Sequence, residues 1–245
     1  MKLEKVAYAS IYEREDEHWW FLGRRRVLAA LLASVDPPGG WRILDVGCGT
    51  GGNFHFLDAY GQVEGCDYSE EAIRFCHMRG THPAQVASIY ELPYEDESFD
   101  LVTCLDVIEH LRFDLPAFRE LNRVLKKGGY LLATLPAGPH LYNDFDCLAG
   151  HLRRYTMQEM RMLLAEGGFE TLRLTCYTTL VHPLIRYYMW RGSITNGRNK
   201  CTQGMQTVIP SANRILKLAQ DLEARIVSRR DLHRGSSAAA LSVKR

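Results

Sequence analysis

The 245-residue sequence contains no apolar run that approaches the roughly 18–20 residues needed to cross a bilayer, so a membrane-spanning protein is not expected. The first sixteen residues, MKLEKVAYASIYERED, lack the apolar stretch of a signal peptide. Seven cysteines (Cys48, Cys66, Cys76, Cys104, Cys147, Cys176 and Cys201) form no CxxC pair. Their odd number and spacing exclude a zinc ribbon and disfavour a disulfide framework, and reduced thiols in a cytoplasmic protein are expected. A net charge of +1 argues against a surface built to coat nucleic acid. Internal repeats and low-complexity tracts are missing as well. What remains is 46% apolar and 24% charged, the balance of a globular chain long enough to bury its own core.

Residues 1–40 read as a helical cap, with Trp20, Arg24, Val27 and Leu31 at helical spacing and Pro37-Pro38-Gly39-Gly40 as the stop. From Trp41 to Leu135 short apolar strands (WRILDV, QVEGC, AQVA, FDLVTCL, GYLLATL) alternate with helices at Ser69–Arg79 and Leu115–Leu125. Near-continuous apolar strands alternating with helices predict an α/β doubly wound, mainly parallel sheet of about seven strands, with ligands at the strands' carboxyl ends. Thr156–Glu159 is a capping box that opens a helix ending at Gly167-Gly168. A strand at Phe169–Tyr177 follows, and SSAAALSVK reads as the final one. The whole chain is taken as a single domain: cap 1–40, cofactor-binding core 41–135, and an acceptor-side region 136–245 with an insert at about 179–234.

The most specific signal is Ile43-Leu44-Asp45-Val46-Gly47-Cys48-Gly49-Thr50-Gly51-Gly52-Asn53, an apolar strand running into a turn with glycine at every second position. Such glycines let the backbone turn tightly and approach a ligand without an intervening Cβ. The next strand ends at Asp67, placed to accept both hydroxyls of a ribose. A dinucleotide fingerprint would read GxGxxG. Here the spacing is GxGxG, and Asp45 at its mouth would repel a pyrophosphate but suits a ligand with an ammonium and a sulfonium. That favours S-adenosylmethionine (SAM) over NAD.

These residues resemble the first motif and ribose-binding acid of class I SAM-dependent methyltransferases, and the likeness runs over residues 41–177. Ser88–Tyr94 with Glu97–Asp100, Asp106–Leu111 and Leu121–Gly129 resemble further motifs of that family. The resemblance implies that Ser88 and Ile89 flank the adenine, that Tyr68 packs on it, and that Leu105 and Asp106 lie beside the methionine part. Relatives commonly carry Asp where Ser88 stands, and a neutral acceptor binds the adenine amino group more weakly. Glu17-His18-Trp19-Trp20-Phe21 with Gly23-Arg24-Arg25-Arg26 resembles the N-terminal EHWWFxGRR segment of a bacterial subgroup. Its aromatics could meet the sulfonium, and Arg24 the cofactor carboxylate.

Methyl transfer is an in-line displacement that mainly requires alignment of nucleophile and methyl. A base helps when the acceptor is a hydroxyl or a protonated amine, and His110 and His151 are the candidates. Glu109 and His110 alone do not make a metal site, no further ligands cluster beside them in the sequence, and no metal is expected. Residues Arg186–Arg234 hold ten Lys/Arg and three Asp/Glu, with Tyr187, Tyr188 and Trp190 among them. Within this insert Ile215, Ala219, Leu222 and Ile226 mark one apolar helix face. It reads as a helical lid for an anionic or amphipathic acceptor. The expected reaction is methylation of an oxygen or nitrogen of a small-molecule metabolite, with SAM as cofactor and no nucleic-acid partner. A methyltransferase acting on RNA or peptide, and a non-enzymatic SAM-binding subunit, are the alternatives.

Overall fold

Alternate residues along the central strands belong to two different cores, and this divides the molecule into three layers. In β1 (Trp41–Val46) Ile43 joins one core and Leu44 the other. The same alternation separates Leu101 from Val102 in β4 (Phe99–Leu105), and Leu132 from Leu131 and Ala133 in β5 (Leu125–Pro136). A strand buried on both faces needs apolar side chains at every position, hence the uninterrupted apolar runs. The computed structural model describes residues 5–37, 39–80, 82–183 and 210–245.

The sheet has seven strands in the order β3-β2-β1-β4-β5-β7-β6. β2 (Gly61–Asp67), β3 (Ala84–Val86), β4 and β5 extend it from β1 in parallel. β7 (Ser237–Lys244) is antiparallel to both β5 and β6 (Phe169–Tyr177). The strand order reverses between β1 and β4, so the ligand crevice of such sheets falls at their carboxyl ends. β5 begins at Leu125, ahead of the expected glycine start.

The cap forms α1 (Lys5–Arg14) and α2 (Trp19–Leu32), and Val27, Leu28, Leu31 and Leu32 make one fully buried stripe. A short α3 (Phe54–Leu57) follows the glycine turn, and α4 (Glu70–Arg79) starts at the Ser69 cap. α5 (Asp114–Val124) and α7 (Met157–Glu166) cover the opposite face, with α6 (Asp144–Ala149) between β5 and α7. The Thr156–Glu159 capping box is formed as expected.

Among the described residues the insert contributes α8 (Pro210–Val227). The face drawn through Ile215, Ala219, Leu222 and Ile226 is not the packed one, since Ile215, Leu218 and Leu222 are exposed. Gln220, Glu223 and Val227 are buried instead. The cause is backbone satisfaction: the Glu223 carboxylate accepts N–H bonds from Thr178, Thr179 (2.7 Å) and Leu180 (2.8 Å) at the turn that ends β6. A Cβ on Gly23 would come within 2.6 Å of Gln220, so that glycine admits α8 against α2. Asn213 accepts from the Trp19 N–H at 2.9 Å. This part of the insert is therefore built into the domain. Tyr187, Tyr188, Trp190, Arg186 and Arg191, on which the lid reading leans, lie outside the described residues. Among the described residues no helix is long and apolar enough to cross a membrane.

Candidate functional site

The glycine turn leaves β1 with Gly47, Gly49 and Gly51 at φ values of 72°, 56° and 78°. Side-chain-bearing residues avoid that left-handed region, which accounts for the alternate glycines. A Cβ on Gly47 would also lie 2.3 Å from Val107. The Gly49 N–H donates to Asp67 Oδ2 at 3.0 Å, and the Ser69 N–H to Oδ1 at 2.9 Å, so the acid at the end of β2 is tied to the turn. Asp67 is buried, and burial raises its carboxyl above the ordinary range despite these bonds. Asp45 is buried too, accepts from Thr103 Oγ1 at 2.5 Å, and is pushed up to about 6 by burial.

Arg24 reaches this edge from α2. Its Nη1 pairs with Asp106 Oδ2 at 2.5 Å, its Nη2 donates to Asn53 at 3.4 Å, and its guanidinium lies 4.9 Å from the centre of the Trp20 ring. Asp106 has φ 57°, so the chain turns sharply on leaving β4 just after the buried Leu105. Tyr68 is 48% exposed beside Asp67. In the loop after β3 the Ser88 hydroxyl accepts the Tyr90 N–H at 3.2 Å, while Ile89 is buried in the core. The fold thus gathers Arg24, Asp45, Gly47, Gly49, Gly51, Asp67, Leu105 and Asp106 at the carboxyl edge of three adjacent strands, with Tyr68, Ser88 and Ile89 beside β2 and β3.

Sequence reasoning missed Glu15. Its carboxylate accepts from Thr50 Oγ1 and from Arg79 at 2.6 Å, and a Cβ on Gly52 would lie 2.0 Å from it. The chain following α1 is thereby fastened onto the glycine turn. Only Gly52, one glycine more than the turn requires, hinted at so close an approach.

On the other side of β4, the fold corrects the reading that no further ligand-type residue stands beside Glu109-His110. The segment after α6 docks there through an N–H bond from Leu152 to the Glu109 carbonyl at 2.8 Å. This brings in His151, whose ring centre lies 5.0 Å from that of His110 and whose Nε2 is 3.8 Å from Glu109 Oε1. His151 Nδ1 is bonded to Asp146 at 2.8 Å, and Asp146 is held in turn by Arg154 at 2.9 Å. Burial opposes the charge on Asp146, but the bonds from His151 and Arg154 outweigh it and keep the carboxyl below its usual range. Glu109 is fully buried, and burial followed by the nearby charge of Asp106 pushes its carboxyl well up. Burial and the neighbouring His151 lower His110. Tyr155 donates to Asp114 at 3.0 Å and lines a surface cleft of about 360 Å³ with Asp114 and Arg153, to which none of the residues gathered around the glycine turn contributes.

A mainly parallel sheet whose order reverses at this crevice, a GxGxG turn and an acid tied to it together define the class I SAM-dependent methyltransferase fold. The comparisons agree. Residues 44–133 match the family model described as a methyltransferase domain. The chain is 32% identical over 161 residues to the "Probable S-adenosylmethionine-dependent methyltransferase/" of Mycolicibacterium smegmatis, which covers 63% of this chain and 61% of that protein. It is 37% identical over 111 residues to the tRNA (carboxymethyluridine(34)-5-O)-methyltransferase of Arabidopsis thaliana, covering 44% of this chain and 26% of that one. A SAM-dependent methyltransferase from Archaeoglobus fulgidus has the same fold, with a TM-score of 0.56 at 18% identity over 89% of this chain and 93% of that one. The chain spans about three fifths of the length of the first mycobacterial relatives it matches. Residues 44–133 thus carry a methyltransferase-domain sequence on a class I SAM-dependent methyltransferase fold.

Proposed function

We propose that the chain binds SAM over the ends of β1, β2 and β4 and transfers its methyl group to an oxygen or nitrogen of a small-molecule metabolite. The observation that carries the donor assignment is the tie between Asp67 and the Gly49 N–H, which presents a carboxylate beside a glycine turn of GxGxG spacing. Asp67 takes the ribose diol, while Tyr68, Ser88 and Ile89 border the adenine. Leu105 and Asp106 lie along the methionine part, and Arg24 is in reach of its carboxylate. Asp45 supplies negative charge on the ammonium side.

His110 and His151 are the catalytic pair on the acceptor side. Each ring has its Nδ1 bonded, to the Gly150 carbonyl at 3.1 Å and to Asp146 respectively, so each keeps Nε2 for the acceptor. His151 is the better oriented of the two because a buried carboxylate fixes its ring. The partly buried setting of both imidazoles suits a small acceptor. The second reading, an RNA acceptor, is favoured by the likeness to the plant tRNA methyltransferase.

Calorimetry should show binding of SAM and of S-adenosylhomocysteine and none of NAD. Dinucleotide binding as tight as that of SAM would overturn the donor assignment. Transfer of a labelled methyl from SAM to a metabolite extract, set against transfer to bulk tRNA, decides the acceptor: label in tRNA alone refutes the small-molecule reading. Once an acceptor is in hand, His151→Ala or His110→Ala should lose about 10²–10⁴-fold in turnover with SAM binding intact.

A further inference from the structure

We propose that Glu109, His110 and His151 together bind one divalent transition-metal cation, with an oxygen of the acceptor completing its coordination. The three side chains each offer a ligand atom, and these atoms lie within 4.8 Å of one another. Glu109 is fully buried, and neither carboxylate oxygen has a hydrogen-bond partner among the described residues. Buried polar atoms are nearly always satisfied, and an orphaned carboxylate facing two imidazoles is accounted for by a cation between them.

The ring tautomers support the same conclusion. A metal-binding histidine usually donates its other ring N–H to a carboxylate or a backbone carbonyl, which aims the free lone pair at the metal. Both versions of that contact are present. His151 Nδ1 faces Asp146 Oδ1 at 2.8 Å, and His110 Nδ1 faces the Gly150 carbonyl at 3.1 Å. Asp146 is itself fixed by Arg154 and by the Asn143 N–H at 3.0 Å. The two chain segments that bear the ligands are joined by the Leu152–Glu109 backbone bond.

Two imidazoles and one carboxylate suit Zn²⁺, Co²⁺ or Fe²⁺ rather than Mg²⁺ or Ca²⁺, and leave at least one position open. Bonds of about 2.1 Å would set tetrahedral ligand atoms about 3.4 Å apart. The ligand atoms, within 4.8 Å of one another, would draw together to that spacing on binding an ion.

The chemical consequence rests on the methyl-transfer reading, whereas the ion site does not. An acceptor hydroxyl bound at the open position ionises more readily and gives its proton to water. Its oxygen then forms the O–C bond as the C–S bond breaks, and the electron pair of that bond neutralises the sulfonium. His110 and His151 would then act on the acceptor through the ion instead of taking its proton directly.

The test uses the untagged full chain, stripped with chelator and titrated with Co²⁺ by calorimetry and visible absorption. We expect about one equivalent bound, with ligand-field bands. Affinity should fall at least tenfold in Glu109→Gln and in His151→Ala, and should be unchanged in His82→Ala, which alters a histidine of a separate His–Asp pair. Should Glu109→Gln fail to melt cooperatively, His110→Gln reads the same loss. No stoichiometric binding, or equal binding by the variants, overturns the proposal. S-adenosylhomocysteine titrated into the same metal-free protein separates the two readings: its binding without Co²⁺ binding sinks the ion alone, and Co²⁺ binding without it sinks the donor assignment alone.

Discussion

Replacing Asp45 by Asn should make the protein more stable at neutral pH while weakening its hold on SAM. Asp45 is 1% exposed and makes one strong bond, from Thr103, while its Oδ2 has no partner among the described residues. Burial displaces its carboxyl from 3.8 to about 6. At 1.36 kcal/mol for each pH unit, keeping the charge in the folded state costs about 3 kcal/mol above that value. Because the folded value lies above the unfolded one, the folded state holds the extra proton, and stability falls as pH rises between the two. Asn stays neutral and still accepts from Thr103. Its gain over the native residue should therefore be small at about pH 4 and larger by about 2.4 kcal/mol at about pH 7.5. A constant offset of about 1–3 kcal/mol opposes the gain if the new N–H₂ group finds no acceptor. Urea unfolding of both proteins without cofactor, at the two pH values, measures the difference directly. A stability difference that does not change with pH would mean that Asp45 is not a buried charge carried for function. SAM affinity, measured by calorimetry at the higher pH, should be lower in the variant.

Asp67→Ala should reduce S-adenosylhomocysteine affinity at least tenfold, since charge-assisted hydrogen bonds are worth about 1.5–3 kcal/mol each. Normal affinity in calorimetry would place the ribose elsewhere. Glu223→Ala should lower the melting temperature, because it strips three backbone N–H groups of their acceptor at the end of β6. An unchanged melting curve would show that α8 and the turn are held by other contacts.

The strands were legible because a doubly buried strand must be apolar throughout, and the glycine turn because its backbone angles demand glycine at alternate positions. The helix start at Thr156 was legible from its capping box. The cluster on the other side of β4 was not. Glu109 and His151 are 42 residues apart in sequence and meet only because the segment after α6 folds back. Asp146 looks like an ordinary first-turn acid until its histidine is seen beside it. Periodicity marks an apolar stripe on α8 that stays exposed, while a glutamate turns inward. Sequence period reports where apolar residues fall, but unsatisfied backbone donors in another segment decided which face packs.

The sheet order also bears on the seconds during which the chain is made. Among the described residues β6 pairs with β7 alone, and Tyr177 is separated from Ser237 by 60 positions of chain. At about 5–20 residues per second, that gap corresponds to about 3–12 s of synthesis. The parallel half, β1 to β5, can assemble without waiting. β6 meanwhile has neither edge paired, and an unpaired edge is a template for association with other chains. A nascent chain of this topology therefore passes through an interval of exposure fixed by the length of the insert, and any lengthening of that insert prolongs it.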